Sequence, residues 1–227
     1  GKDMELSRTK NTVRNAAWGA IYRIIALIGP FIIKTLIIKK LGMEYNGLNS
    51  LFNSILTMLN LANLGFHSAL VYTMYEAVAN EDNAAICAMI NFFRKVYRII
   101  GFVILGLGIL VLPFLPKLVG DECPPGANVY VMFLLYLSAT VMDYVLFGYV
   151  NAIFSAYQRE DTRFKIMTVR YIFQYVLQIV LLIAFKNFYI YLITLPLMVI
   201  PNSVANYYAA KREYPQIKCV GTPSKEI

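Results

Sequence analysis

Long apolar runs alternate with short polar breaks along this chain, and six of the runs cover residues 16–38, 47–72, 96–118, 129–154, 166–185 and 188–209. A bilayer core of roughly 30 Å needs about 20 apolar residues in a helix, so each run predicts one transmembrane helix. The expected fold class is therefore all-α, a polytopic membrane bundle of six transmembrane helices. The breaks carry turn chemistry. Leu41-Gly42-Met43-Glu44-Tyr45-Asn46 predicts a tight turn, residues 76–83 a short polar loop, and Gln158-Arg159-Glu160-Asp161-Thr162-Arg163 a charged loop. Pro113, Pro116 and Asp121-Glu122-Cys123-Pro124-Pro125-Gly126 predict a longer loop, and Lys186-Asn187 the last turn.

Several runs carry polar side chains at helical spacing. Arg23 and Lys34 are eleven residues apart, which at about 100° per residue leaves them within about 20° of one line on the first helix. Ala16, Gly19 and Pro30 share that face. A charge at mid-membrane costs roughly 2.5 to 3.5 kcal/mol on an insertion scale, so the pair either snorkels or meets water, an acid or a ligand. In the second run Asn46, Asn49, Asn53, Asn60, Asn63 and His67 fall within an arc of about 100°, with Thr57 at its edge. Such a stripe calls for water in a cavity or for several interhelical partners.

Asp143 sits near the middle of the fourth run, where it must pair with a cation such as Arg23 or carry its proton. It is a candidate for ion coupling. Gln174 and Gln178, one turn apart on the fifth run beyond Arg170, extend the polar wall. Pro196 and Pro201 predict kinks in the sixth. His67 has no Cys, Asp or Glu at ligand spacing, which predicts a packing histidine and no metal site.

Composition agrees with the pattern. Hydrophobic residues make up 59% of the chain, charged residues 15%, and the mean hydropathy is +0.57, outside the balance of a soluble domain. A net charge of +8 would suggest nucleic acid in a soluble protein, yet fifteen of the 21 Lys and Arg fall on one side of the expected map and five on the other. That bias predicts cytoplasmic termini and no nucleic-acid partner. Arg94, Lys95 and Arg98 in this set read as a headgroup anchor. The N-terminal run is too long for a signal peptide and precedes no small-residue cleavage site, so a retained first span is expected. Cys87 and Cys219 lie on the basic side and Cys123 alone on the other, so no disulfide is expected.

The run Leu41-Gly42-Met43-Glu44-Tyr45-Asn46-Gly47-Leu48-Asn49-Ser50-Leu51-Phe52, followed by Leu61-Ala62-Asn63-Leu64-Gly65-Phe66, resembles the turn and second helix of bacterial polysaccharide exporters of the lipid-linked oligosaccharide flippase type. Pro113-Phe114-Leu115-Pro116 and Tyr214-Pro215-Gln216-Ile217-Lys218-Cys219 extend the likeness. The resemblance implies the fold of the multidrug, oligosaccharidyl-lipid and polysaccharide exporter superfamily, in which two lobes of about six helices face one central cavity. Residues 1–212 would be the first lobe and 213–227 a cytoplasmic linker toward a second lobe. The facing partner is then that second lobe or another copy of this chain.

It further implies a bacterial inner-membrane protein that flips a polyprenyl-pyrophosphate-linked glycan by alternating access, with membrane lipids as neighbours and no cofactor. On that reading the substrate contacts are Arg23, Lys34, Asn49, Asn53, Asn60, Asn63, Gln174 and Gln178, the cations meeting pyrophosphate and the amides sugar hydroxyls. A drug or cation antiporter of the same superfamily, or a non-transporting scaffold, is the alternative. No compact acid and base constellation points to an enzyme.

Overall fold

A computed structural model describes residues 2–120 and 123–223, and its side-chain description excludes residues 2–8 and 61–64. Every regular element among the described residues is helical: α1 (Lys2–Lys40), α2 (Met43–Ala79), α3 (Asn83–Val111), α4 (Leu115–Val119), α5 (Val129–Val145), α6 (Val150–Ala156), α7 (Glu160–Phe185) and α8 (Phe188–Glu213). Four stretches are long and apolar enough to cross a membrane singly: Thr9–Lys40, Asn83–Val119, Glu160–Phe185 and Phe188–Glu213. Two further crossings arise if bent pairs count as one span each. Met43–Asn60 and Gly65–Ala79 meet at 42°, and Val129–Val145 and Val150–Ala156 at 56°.

Local chemistry explains the helix ends. Gly42 takes φ 117° after α1, where its N–H and that of Leu41 both donate to the Ile37 carbonyl; a side chain would strain this turn. The Asp82 carboxylate caps α3 by accepting from Ala85 N at 3.0 Å. Asn128 and Asn187 cap α5 and α8, each accepting from two N–H groups of the first turn.

Two sequence expectations change. The fourth run is not one straight helix, because α5 ends at Val145 and a bend separates it from α6. Residues 146–149 are all apolar or aromatic, so hydropathy does not mark the break; at Gly148 a Cβ would lie 2.7 Å from the Asp143 carbonyl oxygen. Pro113 and Pro116 remain in helical turns rather than a loop, in a 3-10 turn Leu112–Phe114 and in α4. Each stands in the first turn of its element, where its missing N–H removes no bond. Helix α8 continues through Pro196 and Pro201.

Counting α3 with α4 and α5 with α6 as one span each, the spans alternate in direction, and cross-contacts define two ends. Asn15 Nδ2 donates to the Gln158 carbonyl, Asn91 Nδ2 to that of Gly221, and Tyr157 stacks on Tyr214 at one end. At the other, Asn128 N donates to Tyr189 Oη at 2.7 Å and Tyr45 packs on Phe188. The first end carries Arg14, Arg94, Arg159, Arg163, Lys211 and Lys218. It is also knitted by Asp161, fully buried, whose carboxylate meets Arg14 Nε at 2.7 Å, Arg159 Nε at 2.9 Å and Lys165 Nζ at 3.1 Å.

Helix α1 packs most extensively on α7. Tyr22 lies between Phe164 and Tyr171, with centroids 5.4 and 5.7 Å away, and Tyr171 stacks on Tyr175 at 5.5 Å. Phe164, Tyr171 and Tyr175 recur at i, i+7 and i+11, one helical face. Glycines supply the notches: Gly19 faces Phe164 and Gly29 faces Tyr175. On α3, Gly101 and Gly108 play the same part against Val145, Tyr144 and Leu137 of α5. Away from these seams the surface is apolar, with Leu27 75% and Phe31 72% exposed. A belt of this kind suits lipid.

A methyl at Gly29 would sit 2.0 Å from the Tyr175 ring, which Tyr171 holds in place. Gly29→Ala is expected to cost about 1–3 kcal/mol by overpacking, read as a lower melting temperature in detergent. Gly106→Ala meets nothing within 4 Å and should hold or raise the melting temperature; equal effects of the two changes would refute the notch.

Candidate functional site

The amide stripe of α2 faces α5, and the encounter divides its members. Tyr136 Oη donates to Asn49 Oδ1, and Tyr144 Oη donates to Asn60 Oδ1 at 3.0 Å. His67 Nδ1 lies 2.5 Å from Tyr97 Oη of α3 and its Nε2 lies 3.5 Å from Ser155 Oγ of α6. This tie joins α2 to α3 and α6. Asn53 is exposed, its Nδ2 donating to the Asn49 carbonyl one turn back at 2.8 Å. Asn46 is buried at the start of α2. Asn63 lies outside the described residues.

Between these helices and α7 and α8 lies a cavity of about 380 Å³. Asn53, Thr57 and Asn60 of α2, Thr140 and Asp143 of α5, and Arg170 and Gln174 of α7 supply its polar lining. A second cavity of about 340 Å³ continues toward the basic end, lined by His67, Tyr97, Asn151 and Arg163. Asp143 and Tyr144 line both, so the two cavities adjoin at these residues and are together termed the groove.

Its electrostatics follow from burial and packing. The Arg170 guanidinium lies 5.3 Å from the Tyr171 ring centroid, a cation–π placement that also fixes the Tyr ladder of the α1 seam. Arg170 Nε and Gln174 Oε1 are buried and make no hydrogen bond. Buried polar atoms normally find partners, and water reaching these two would supply one. Arg163 is held by Glu160 at 2.8 Å, while Asp143 forms no ion pair among the described residues. The groove thus offers one carboxylate, two guanidinium groups, an imidazole, amides and hydroxyls.

The structure redistributes the sequence-based site. Asn53, Asn60, Gln174 and Asp143 meet in the groove, and Asn49 supports it through Tyr136. Gln178 does not line it: the residue is 1% exposed, and its Nε2 donates to Thr194 Oγ1 of α8 at 2.8 Å. Arg23 and Lys34 keep a common face because α1 runs unbroken through Pro30. Both are exposed and line neither cavity. The expected pairing of Asp143 with Arg23 is not found; the cations that share its cavities are Arg170 and Arg163. Sequence reasoning missed Tyr136, Thr140 and Tyr144, although with Asp143 they stand at i, i+4, i+8 and i+7, a helical stripe as regular as that on α2. It also gave Arg163 to a loop. Comparison with protein-family profiles, curated proteins and solved structures finds no match to this chain.

Proposed function

We propose that this chain forms one wall of a transmembrane path for an amphipathic solute with an anionic headgroup, of the polyprenyl-pyrophosphate-linked glycan class, moved by alternating access. The observation that carries this reading is the polar groove lined by α2, α5 and α7 in a bundle whose outer face is apolar. Guanidinium forks suit pyrophosphate oxygens, amides and hydroxyls suit sugars, and a prenyl chain can stay in lipid. The resemblance of residues 41–52 to lipid-linked oligosaccharide flippases supports the same class. A groove open on one side needs a facing body, either a second lobe or another copy. Arg23 and Lys34, roughly 16 Å apart along α1, are then a further cation pair reached from the open side.

The charge bias supports placing the basic end in the cytoplasm, and the resemblance implies a bacterial inner membrane. In intact cells with a permeable outer envelope, a membrane-impermeant thiol reagent is expected to label Cys123 and spare Cys87 and Cys219. Labelling of Cys219 with Cys123 spared would reverse the orientation.

The substrate class is tested with the chain in lipid nanodiscs, titrated with a polyprenyl-pyrophosphate-linked oligosaccharide and followed by native mass spectrometry. Arg170→Gln is expected to weaken binding about tenfold, the loss of one charge-assisted hydrogen bond. Arg170→Lys should retain part of the affinity, and Arg23→Gln should lose less than Arg170→Gln. Undiminished binding by a folded Arg170→Gln would remove the proposal. The unpaired carboxylate of Asp143 favours a second reading, export of an amphipathic cation. In that case the same titration gives binding of an amphipathic cation that Asp143→Asn abolishes, and none of the glycan.

A further inference from the structure

A separate pocket opens at the basic end, away from the groove, where α3 begins and α8 ends. It measures about 310 Å³. Ile90, Tyr149, Val150 and Ile153 form its apolar side, and residues 214–219, the strap that follows α8, form the other. The strap is fastened at several points. Tyr214 stacks on Tyr157 at 4.2 Å, and Lys218 N donates to Cys87 Sγ at 3.1 Å. Asn91 Nδ2 donates to the Gly221 carbonyl at 2.8 Å.

These bonds hold Lys218 at the rim while Arg94 enters from α3 and Lys211 from the last turn of α8. Three cations from three separate elements therefore line one cavity. Among the described residues no Asp or Glu lines it and none of the three cations forms an ion pair. Arg94 Nη2 donates to Asn91 Oδ1 at 3.0 Å, which uses one of the five N–H donors of its fork. The Tyr149, Tyr207 and Tyr214 side chains also reach the lining. Burial, with the neighbouring Glu213 charge, pushes the Tyr214 hydroxyl up to about 12, so at neutral pH it keeps a proton to donate.

Like charges held around one cavity repel unless an anion lies between them, and an anion with three oxygens can engage all three. A carboxylate offers two. We propose that this pocket binds a terminal phosphate group, carried by a lipid headgroup of the phosphatidic acid kind or by a soluble phosphate compound. It is independent of the transport reading, since it shares no residue with the groove.

The pocket contains its own reporter. Cys219 lines it, Cys87 is buried and Cys123 lies exposed at the opposite end as an internal control. The full chain is placed in phosphatidylcholine nanodiscs and the rate of maleimide labelling at each cysteine is followed. Two probes are compared: soluble pyrophosphate, and phosphatidic acid mixed into the bilayer. Either should slow labelling of Cys219 about tenfold at ten times its Kd, with Cys123 unaffected. Protection by pyrophosphate assigns a soluble phosphate, and protection by phosphatidic acid alone assigns a lipid headgroup. The combined variant Arg94→Gln, Lys211→Gln, Lys218→Gln should lose the protection while its melting temperature and Cys123 rate stay unchanged. No protection by either probe, or equal protection in the folded variant, overturns the proposal.

Discussion

Polar side chains on apolar helices must find one another, because hydrocarbon offers them no partner, and this constraint orders the bundle. Tyr136 with Asn49 and Tyr144 with Asn60 bind α5 to α2; His67 with Tyr97 ties α2 to α3; Gln178 with Thr194 ties α7 to α8. Each such bond contributes only about 0.6 kcal/mol in a membrane. Their larger effect is rotational, since each turns its helix so that the remaining polar groups converge. The groove is what the pairing leaves over: Asn53, Thr140, Asp143, Arg170 and Gln174 belong to the same helical faces as the bonded groups.

Close packing and ion pairing complete the frame that the polar bonds orient. The Phe164, Tyr171 and Tyr175 ladder presses Tyr22 and the α1 glycines into α7, and Arg170 at the ladder's edge carries that rigidity into the groove. At the basic end Asp161 gathers Arg14, Arg159 and Lys165. An unpaired carboxylate there would be costly, so the start of α7 is fixed to α1 before the membrane region begins. The wall that would meet a solute therefore rests on two rigid seams.

The helices were legible because apolar runs and turn residues are strong, local signals. The amide stripe on α2 was equally clear, and two of its members, Asn53 and Asn60, meet Gln174 and Asp143 in one groove. What the sequence concealed was pairing. Gln178 looks like Gln174 one turn away, but only a neighbour such as Thr194 decides that one is packed and the other lines a cavity. Tyr136 and Tyr144 read as core aromatics, and their hydroxyls matter only when α2 is opposite. The bend after α5 falls in residues with no polar mark, where Gly148 approaches the Asp143 carbonyl. Arg23 and Lys34 were correctly placed on one face, yet which neighbour that face meets is set by α7 packing and not by α1 itself.

The central claim is that the groove is open to water within an otherwise lipid-facing bundle. It is tested most directly by single cysteines introduced into a cysteine-free chain in lipid and exposed to a charged thiol reagent. Asn53→Cys and Thr140→Cys, from the groove lining, should react. Val176→Cys, on the apolar outer face, and Gln178→Cys, packed against α8, should resist. Silence at both groove positions, or reaction at Val176 and Gln178 as fast as at Thr140, would contradict the account.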